Sequence, residues 1–448
     1  MAPEHGSAFV RVLVLVLLTA APLLAGAVHE PVFIPLLVGS ALAGLVTLFR
    51  HRRAPGPPLP GLRLLLGLHA LVLLQLIPLP PALLAAVSPG SFAFYSNQLL
   101  LPPLVSWKPV SVSPPDTLRG LAFLAAFSLL AIAVFRELGE GRWRRRLLRT
   151  VVFTGLALTV LALLQAVSPE PRRIYGVWQP RWDWAVFGPY VNKNHFAGYL
   201  VMAAALAVGF ALEALARLRA AWSTRRHGFL LLGEAEGLAF ARAATAVMVI
   251  VAGLVASQSR GGVSAFALAM LLVPLAAPRR RGTALAVVLL VALGVSWIGL
   301  GGVLQAFEAR GIRGSRLDLW RDMLPMVRHF PLLGVGWNAF ATAYPWYQTI
   351  WKTEWIGEAH NDYLQALLDG GALGLALVCG LAAIVFRSAL TRARRSPVDL
   401  GLLGALLGLA LHELVDFNGQ IPANAATGIA LAAAALASPA RERGQGRP

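Results

Sequence analysis

Residues 315–340 read SRLDLWRDMLPMVRHFPLLGVGWNAF, and residues 358–374 read EAHNDYLQALLDGGALG. These two segments combine arginines, a histidine and helix-capping residues. Most of the remaining chain consists of apolar runs that approach the roughly 20 residues needed to cross a bilayer as a helix. We therefore expect a set of membrane helices to be arranged around the polar stretch from Ser315 to Gly374.

The composition indicates a membrane protein. Of the 448 residues, 57% are hydrophobic and 13% are charged, and the mean hydropathy is +0.67. A soluble domain has roughly 25% charged residues, so this chain lacks the polar side chains to cover a water-exposed surface. Unbroken apolar runs also differ from the alternating pattern of barrel strands, so the spans are expected to be helices.

The sequence thus predicts an all-α, polytopic integral membrane protein with about 12 transmembrane helices. The predicted spans are approximately 9–28, 31–49, 62–79, 118–135, 147–167, 194–213, 243–258, 263–277, 283–303, 372–390, 400–417 and 422–438. A short interfacial helix is expected from Phe92 to Leu101, in the Pro-rich loop between the third and fourth spans.

Arginine and lysine set the predicted orientation. Most of the 39 Arg and Lys residues fall on the side that also holds both termini, and the positive-inside rule makes that side cytoplasmic. The net charge of +18 therefore needs no nucleic-acid partner. We predict one polytopic domain over 1–448, with an extracytoplasmic loop over 304–371 between spans 9 and 10, and a cytoplasmic tail over 439–448. Cleavage of the first span stays open, because 25–27 (AGA) resembles a signal-peptidase site.

The first polar segment predicts a helix and a phosphate contact. Ser315 and Asp318 resemble a capping box, so a helix is expected from Arg316 to about Arg328, ended by Pro331. The helix dipole disfavours a cation in the first turn, whereas the helix N-terminus and a guanidinium together suit a phosphate group. We interpret Arg316 as a phosphate ligand; the alternative is an amphipathic helix on the membrane with solvated arginines.

Aromatic residues follow this helix. Clustered aromatics beside a membrane are typical of an interfacial belt, and they also stack on sugar rings or border a lipid-chain entrance. These readings are compatible. The residues are Tyr344, Trp346, Tyr347, Trp351 and Trp355.

The second polar segment places a histidine at a helix start. Asn361 or Asp362 is expected to cap a short helix that ends at 370–371 (GG), just before the tenth span. His360 then lies at the water–lipid boundary, where an imidazole can take a proton from a hydroxyl at neutral pH. The alternative is a hydrogen-bonded surface histidine.

Two further groups are predicted on the same outer face. The sequence SQSRGG at 257–262 separates the seventh and eighth spans, and an arginine at that depth is costly unless it is functional, so Arg260 is a second candidate anion ligand. Lys193, Asn194 and His195 precede the sixth span, and His195 alone is more often structural.

A third polar group lies near the outer end of the eleventh span. His412, Glu413 and Asp416 are interpreted as a packing network, although a metal site of these residue types stays open. The chain has no Walker loop, no dinucleotide-binding fingerprint and no DxD pair. A transferase of this sequence would therefore stabilise a diphosphate with arginines and without a metal or another cofactor.

The combination of SRGG, SRxxxW, PLLGVGWNAF and HNDYLQALLDGGALG, with NKNHFAGYL before them, resembles the O-antigen ligase and polymerase superfamily. The similarity covers about residues 190–390 best. It implies a membrane-embedded, metal-independent inverting glycosyltransferase of the GT-C-like class. It also implies that His360 is the catalytic base and that Arg260 and Arg316 bind diphosphate. Supporting roles fall to Asn361, Tyr363, Lys193, Asn194 and His195.

The resemblance implies a bacterial inner-membrane enzyme with a periplasmic active site. Its donor would be an undecaprenyl-diphosphate-linked glycan, its acceptor a glycan or lipid A core, and its surroundings membrane lipids. The expected function is an O-antigen ligase in lipopolysaccharide assembly. The alternatives are an O-antigen or exopolysaccharide polymerase and a protein O-oligosaccharyltransferase. A glycan flippase is disfavoured, because transporters place polar residues near the bilayer midplane and these candidates gather at the outer boundary.

Overall fold

The computed structural model describes residues 5–53, 56–98, 106–181, 185–223, 233–276, 316–350 and 355–437. The predicted ninth span (283–303), the capping residue Ser315 and the predicted tail (439–448) lie outside these ranges. So do parts of the predicted outer loop, among them Trp351.

The described chain is entirely helical, with fifteen α-helices and no strand in those ranges. The helices are α1 His5–Leu23, α2 Glu30–His51, α3 Leu62–Leu76, α4 Pro81–Val87, α5 Pro89–Gln98, α6 Pro114–Ala133, α7 Gly141–Ala166, α8 Lys193–Ser223, α9 Ala235–Ala256, α10 Arg260–Ala276, α11 Arg316–His329, α12 Phe340–Ala343, α13 Asp362–Ala393, α14 Pro397–His412 and α15 Pro422–Leu436.

Six of these helices are long and apolar enough to cross a membrane, namely α2, α6, α7, α8, α9 and α13. Five shorter apolar helices, α1, α3, α10, α14 and α15, coincide with five other predicted spans. The polytopic all-helical class is therefore confirmed, whereas the total of twelve spans stays a prediction.

Helix α8 lies at the centre of the main core and packs antiparallel to α14. An added Cβ at Gly401 of α14 would lie 2.7 Å from the carbonyl oxygen of Ala205 in α8, and one at Gly408 would lie 2.5 Å from Val201 Cγ1. Small residues allow such close backbone approach, which is how helices associate in lipid. The antiparallel packing brings the first turn of α8 beside the last turn of α14, where the polar candidates collect.

Ion pairs mark the opposite end of the bundle. Glu137, whose side chain is 4% exposed, lies 3.1 Å from Arg50 Nη1 and 3.5 Å from Arg11 Nη2. Arg144 of α7 pairs with Asp399 in the first turn of α14. This end carries the basic segments that the sequence assigns to the cytoplasm.

The polar stretch packs as a layer over the other end. Buried Leu319, Met323 and Met326 of α11 form a cluster with Phe340 and Tyr344. The predicted helix from Arg316 is confirmed, and it ends at His329. The glycines of the following turn, Gly334 and Gly336, have φ of +70° and +112°. Such values favour glycine, so this sequence turns sharply here.

One predicted helix end is confirmed, and one predicted helix start needs correction. The short helix after His360 ends at 370–371, as expected, because Gly371 has a non-helical φ of +63° and ψ of −168° and α13 is two helices that meet across this kink. The kink separates an interfacial helix from the long apolar helix that follows it. The helix predicted from Phe92 begins earlier, at Pro89, and is described as far as Gln98, since residues 99–101 lie outside the described ranges.

Candidate functional site

Four helix ends converge at the end of the bundle opposite the basic segments. Arg316 begins α11, His195 lies in the first turn of α8, His412 ends α14, and His360 directly precedes the cap of α13. Asp416, in the loop after α14, lies among them. Its side chain is 1% exposed.

Asp416 is the centre of this cluster. Its Oδ1 lies 3.8 Å from His195 Nε2 and 3.9 Å from Arg316 Nη2, and its Oδ2 lies 3.5 Å from His412 Nε2. Neither ring nitrogen of His195 makes a hydrogen bond within the described part of the chain. Burial raises the pKa of Asp416 to about 7, although the charge of Arg316 opposes this shift.

Phe417 connects the two histidine segments. Its ring centroid is 4.5 Å from that of His195 and 4.7 Å from that of His360, with edge-to-face geometry at both contacts. The sequence analysis did not single out Phe417. It connects residues far apart in the chain, so no local pattern indicates its role.

His360 has an unusual backbone conformation. Its φ is +52°, in the left-handed region that costs a non-glycine residue roughly 1–2 kcal/mol. Its Nδ1 is buried and makes no hydrogen bond with the described residues. Burial and the nearby charge of Arg316 lower the pKa of His360 to about 4, so the imidazole is neutral at pH 7.

The predicted cap of the following helix is Asn361. Its Oδ1 accepts hydrogen bonds from the backbone N–H groups of Tyr363 and Leu364, each at 3.0 Å. Tyr363 in turn donates its hydroxyl to the carbonyl oxygen of Ala410 in α14, at 2.9 Å. These two supporting candidates therefore fix the helix that follows His360 and fasten it to α14.

Arg260 reaches the same region from α10. The turn before it contains Gln258 in the left-handed conformation, with φ of +54°. The next residue, Gly261, faces His412, since an added Cβ there would lie 3.1 Å from His412 Nε2. Arg260 is half-buried at the start of its helix.

The remaining candidates lie at the start of α8. Lys193 and Asn194 belong to its first turn. The sequence analysis placed this motif before the sixth span, whereas in the structure the motif is the start of the helix itself. The side-chain oxygen of Asn192 accepts from the Asn194 backbone N–H at 2.9 Å. The carbonyl oxygen of His195 accepts from Asn424 of α15 at 2.7 Å. His195 is the candidate of this motif that contacts the Asp416 cluster.

The residues at the end of α14 do more than pack. His412 and Asp416 belong to the same cluster as Arg316, while Glu413 accepts the backbone N–H of Asn418 at 3.0 Å. Among the described residues, no group of three or more His, Cys, Asp or Glu side chains is arranged to hold a metal ion.

Comparison with known proteins agrees with the resemblance of these motifs. Residues 244–379 match the family model described as O-antigen ligase. That range contains Arg260, Arg316 and His360. This part of the chain is similar to O-antigen ligases. His195, His412 and Asp416 lie outside the matched range and meet it through the fold.

Two characterised proteins are similar to parts of this chain. The ComP-specific O-oligosaccharyltransferase of Acinetobacter baylyi is 26% identical over 117 residues, which cover 25% of this chain and 21% of the relative. The exopolysaccharide production protein ExoQ of Rhizobium meliloti is 26% identical over 140 residues, 29% of this chain and 32% of the relative. The matched segment thus spans a third or less of each relative.

Proposed function

We propose that this protein is a glycosyltransferase that moves a glycan from an undecaprenyl-diphosphate carrier to an acceptor hydroxyl, as an O-antigen ligase does. The observation that carries the proposal is the convergence of Arg316 on buried Asp416 and of His360 on the adjacent, half-buried Phe417. A guanidinium suits a diphosphate, and a neutral imidazole suits a hydroxyl proton. The O-antigen ligase match over both residues supports this pairing.

The proposed reaction is one displacement. The acceptor oxygen attacks the anomeric carbon while the bond from that carbon to the diphosphate oxygen breaks. The hydroxyl proton passes to the imidazole of His360, and Arg260 and Arg316 compensate the charge of the departing lipid diphosphate. Lys193, Asn194 and His195 border the same region. Inversion at the anomeric carbon follows from a single displacement.

The charge of Arg316 also gives the reaction an order. Burial and this charge lower the pKa of His360 to about 4, so its imidazole is a weak base before the donor binds. A bound diphosphate neutralises Arg316, so it removes the second cause and raises the basicity of His360. In this mechanism donor binding prepares the histidine to accept the proton.

The proposed location follows from the two ends of the bundle. The ion pairs of Glu137 and Asp399 lie at the basic end, and the Asp416 cluster lies at the other. With the basic end in the cytoplasm, the site opens on the periplasmic face of the inner membrane. A lipid-linked donor in the outer leaflet then presents its diphosphate at the depth of Arg260 and Arg316.

Three acceptor classes fit the proposed donor chemistry. The name of one relative concerns oligosaccharide transfer to ComP, and the name of the other concerns exopolysaccharide production. A ligase uses a lipid A-core sugar, a polymerase uses another glycan, and an O-oligosaccharyltransferase uses a protein hydroxyl. All three share the donor chemistry of Arg260, Arg316 and His360.

The direct test incubates purified protein with an undecaprenyl-diphosphate glycan and each acceptor class, with and without excess EDTA. We expect transfer to one acceptor at the same rate in EDTA, because arginines face the diphosphate in the proposed site. No transfer to any acceptor would overturn the glycosyltransferase proposal. Loss of transfer in EDTA with restoration by a divalent ion would overturn the arginine-based mechanism.

Donor binding is expected to strengthen as the pH falls. The carboxyl of Asp416 has a pKa of about 7 and faces Arg316, His195, His412 and Asp362. Above pH 7 its carboxylate competes with the donor for Arg316 and repels the diphosphate; below pH 7 it is neutral. If the complex keeps this proton, affinity rises about tenfold from pH 8 to pH 6.

The measurement is the affinity of a non-transferable lipid-diphosphate analogue in nanodiscs at pH 6, 7 and 8. A diphosphate diester stays fully ionised over this range, and His360, with a pKa of about 4, stays neutral. The control variant Asp416→Asn should bind with nearly constant affinity. Equal pH dependence in the variant and the native protein would contradict the role of Asp416.

A further inference from the structure

The strained backbone of His360 is held through the preceding residue. The carbonyl of Ala359 and the N–H of His360 belong to one peptide plane, and rotation of that plane changes φ of His360. A non-glycine residue keeps a φ of +52° when the surrounding structure fixes it. Ala359 is fully buried, so the groups that contact its backbone decide the conformation of His360.

Two side chains from different elements bind the Ala359 backbone. The indole Nε1–H of Trp320, in α11, donates to the carbonyl oxygen of Ala359 at 2.9 Å. The N–H of Ala359 donates to Oε1 of Gln365, in α13, at 2.8 Å. Both backbone groups of this buried residue are thus satisfied by side chains. Trp320 holds the peptide plane between Ala359 and His360, and Gln365 holds the peptide plane on the other side of Ala359.

Gln365 is fixed by a further buried chain of hydrogen bonds. Its Nε2 donates to Asp369 Oδ2 at 3.0 Å, and Asp369 Oδ1 accepts the backbone N–H of Phe340 at 3.0 Å. The carbonyl oxygen of Asp369 accepts from Gln75 Nε2 at 2.9 Å. Gln365 and Asp369 are 3% and 4% exposed, so water does not compete for these bonds.

Trp320 also links the two halves of the proposed site. It lies four residues after Arg316 in α11, on the same face of that helix. One rigid helix therefore carries an arginine of the proposed diphosphate site and the indole that fixes the peptide before His360. This arrangement sets the separation between the diphosphate ligand and the base.

We propose that Trp320 and Gln365 are positioning residues, which hold His360 in its left-handed conformation at a set distance from Arg316. The inference rests on the proposed function and adds to it the parts of the chain that place the base. Neither side chain needs to contact the donor or the acceptor, because both act through the backbone of Ala359.

The first test compares Trp320→Phe, which keeps the ring and removes the N–H donor, with Trp107→Phe as a matched control. Trp107 is 63% exposed in the Pro-rich outer loop and belongs to neither the aromatic set nor the proposed site. We expect Trp320→Phe to lower the single-turnover rate at saturating substrates roughly 10–100-fold, part of what a positioned base contributes. The affinity for the donor analogue should change less than about twofold. Gln365→Glu, which keeps Oε1 and loses the donor to Asp369, should act in the same direction.

A double-mutant cycle separates positioning from a general structural effect. If Trp320 acts only through His360, adding Trp320→Phe to His360→Ala should lower the rate no further. Equal effects of Trp320→Phe in both backgrounds would overturn the proposal. So would a native rate in both Trp320→Phe and Gln365→Glu.

A second readout does not depend on transfer. Diethyl pyrocarbonate modifies neutral imidazole, and peptide mapping gives the rate at each histidine. We expect His360 to react several-fold faster in Trp320→Phe and Gln365→Glu than in native protein or Trp107→Phe, with His329 as an internal reference. An unchanged rate at His360 overturns the positioning role alone. Absence of native transfer overturns the proposed function, so the two failures are distinguishable.

Discussion

Replacing His360 with alanine is expected to lower the single-turnover rate of glycan transfer by roughly 10²–10⁴-fold, the usual contribution of a positioned general base. The affinity for a non-transferable donor analogue should stay close to the native value. Because the pKa of His360 is about 4, its imidazole is neutral at pH 7 and supplies no charge to hold a diphosphate. Its proposed role concerns the acceptor proton.

The matched control is His329→Ala. His329 lies on the same outer segment and is exposed, and its Nδ1 lies 3.0 Å from the Tyr347 hydroxyl. It has no place in the proposed chemistry, so this variant should transfer at the native rate. Both variants are compared at equal yield of monodisperse protein. Native transfer by His360→Ala would remove the base from the mechanism even though residues 244–379 match the O-antigen ligase family model.

Features with local signals could be predicted from the sequence. The apolar runs predicted the helices, the SQSRGG turn predicted the break between α9 and α10, and Asn361 predicted the start of α13. Each of these depends on residues within a few positions of one another. Such signals place a helix start only to within a residue or so. The sixth span was predicted from about residue 194, and α8 begins at Lys193, where the Asn192 side chain accepts the Asn194 N–H.

The centre of the site could not be predicted in the same way. Asp416 meets Arg316 and His195 across long separations in the chain, through the packing of α8 against α14. Span prediction tells which end of the bundle a residue occupies, but it does not tell which side of the helix faces its neighbours. His412 and Asp416 were therefore interpreted as packing residues, and Phe417 was missed.

The conformation of His360 also lacked a local signal. Glycine and asparagine commonly adopt a positive φ, whereas histidine does so less often. Here the cause is tertiary, because Trp320 and Gln365 bind the Ala359 backbone. Trp320 lies four residues after Arg316 on α11, so both lie on one face of that helix, and the contact of Trp320 with Ala359 forms only in the fold.

Replacing Arg316 with alanine should weaken both donor binding and turnover, unlike the change at His360. A hydrogen bond to a charged group contributes about 1.5–3 kcal/mol, so the analogue should bind roughly 10–150-fold more weakly. The rate should fall further, because charge on the diphosphate grows as the glycan leaves. Arg260→Ala should act in the same direction. Lysine at either position should rescue only in part, since it keeps the charge and loses the bidentate geometry.

Loss of Arg316 should leave the base intact. Arg316 lowers the pKa of both Asp416 and His360, so its removal raises both values. Asp416 then takes up a proton at neutral pH and leaves no uncompensated buried carboxylate, and His360 becomes more basic. A lower rate in Arg316→Ala therefore reports lost diphosphate stabilisation rather than a disabled histidine.

Arg321→Ala is the matched control for this prediction. Arg321 lies on α11 five residues after Arg316, its side chain is 74% exposed, and it pairs with Asp318 at 3.4 Å. An exposed pair of this kind contributes little, so the variant should bind the analogue and turn over as the native protein does. The measurements are analogue affinity in nanodiscs and single-turnover transfer. Unchanged analogue affinity in both Arg316→Ala and Arg260→Ala would refute the diphosphate assignment, even with His360 confirmed as the base.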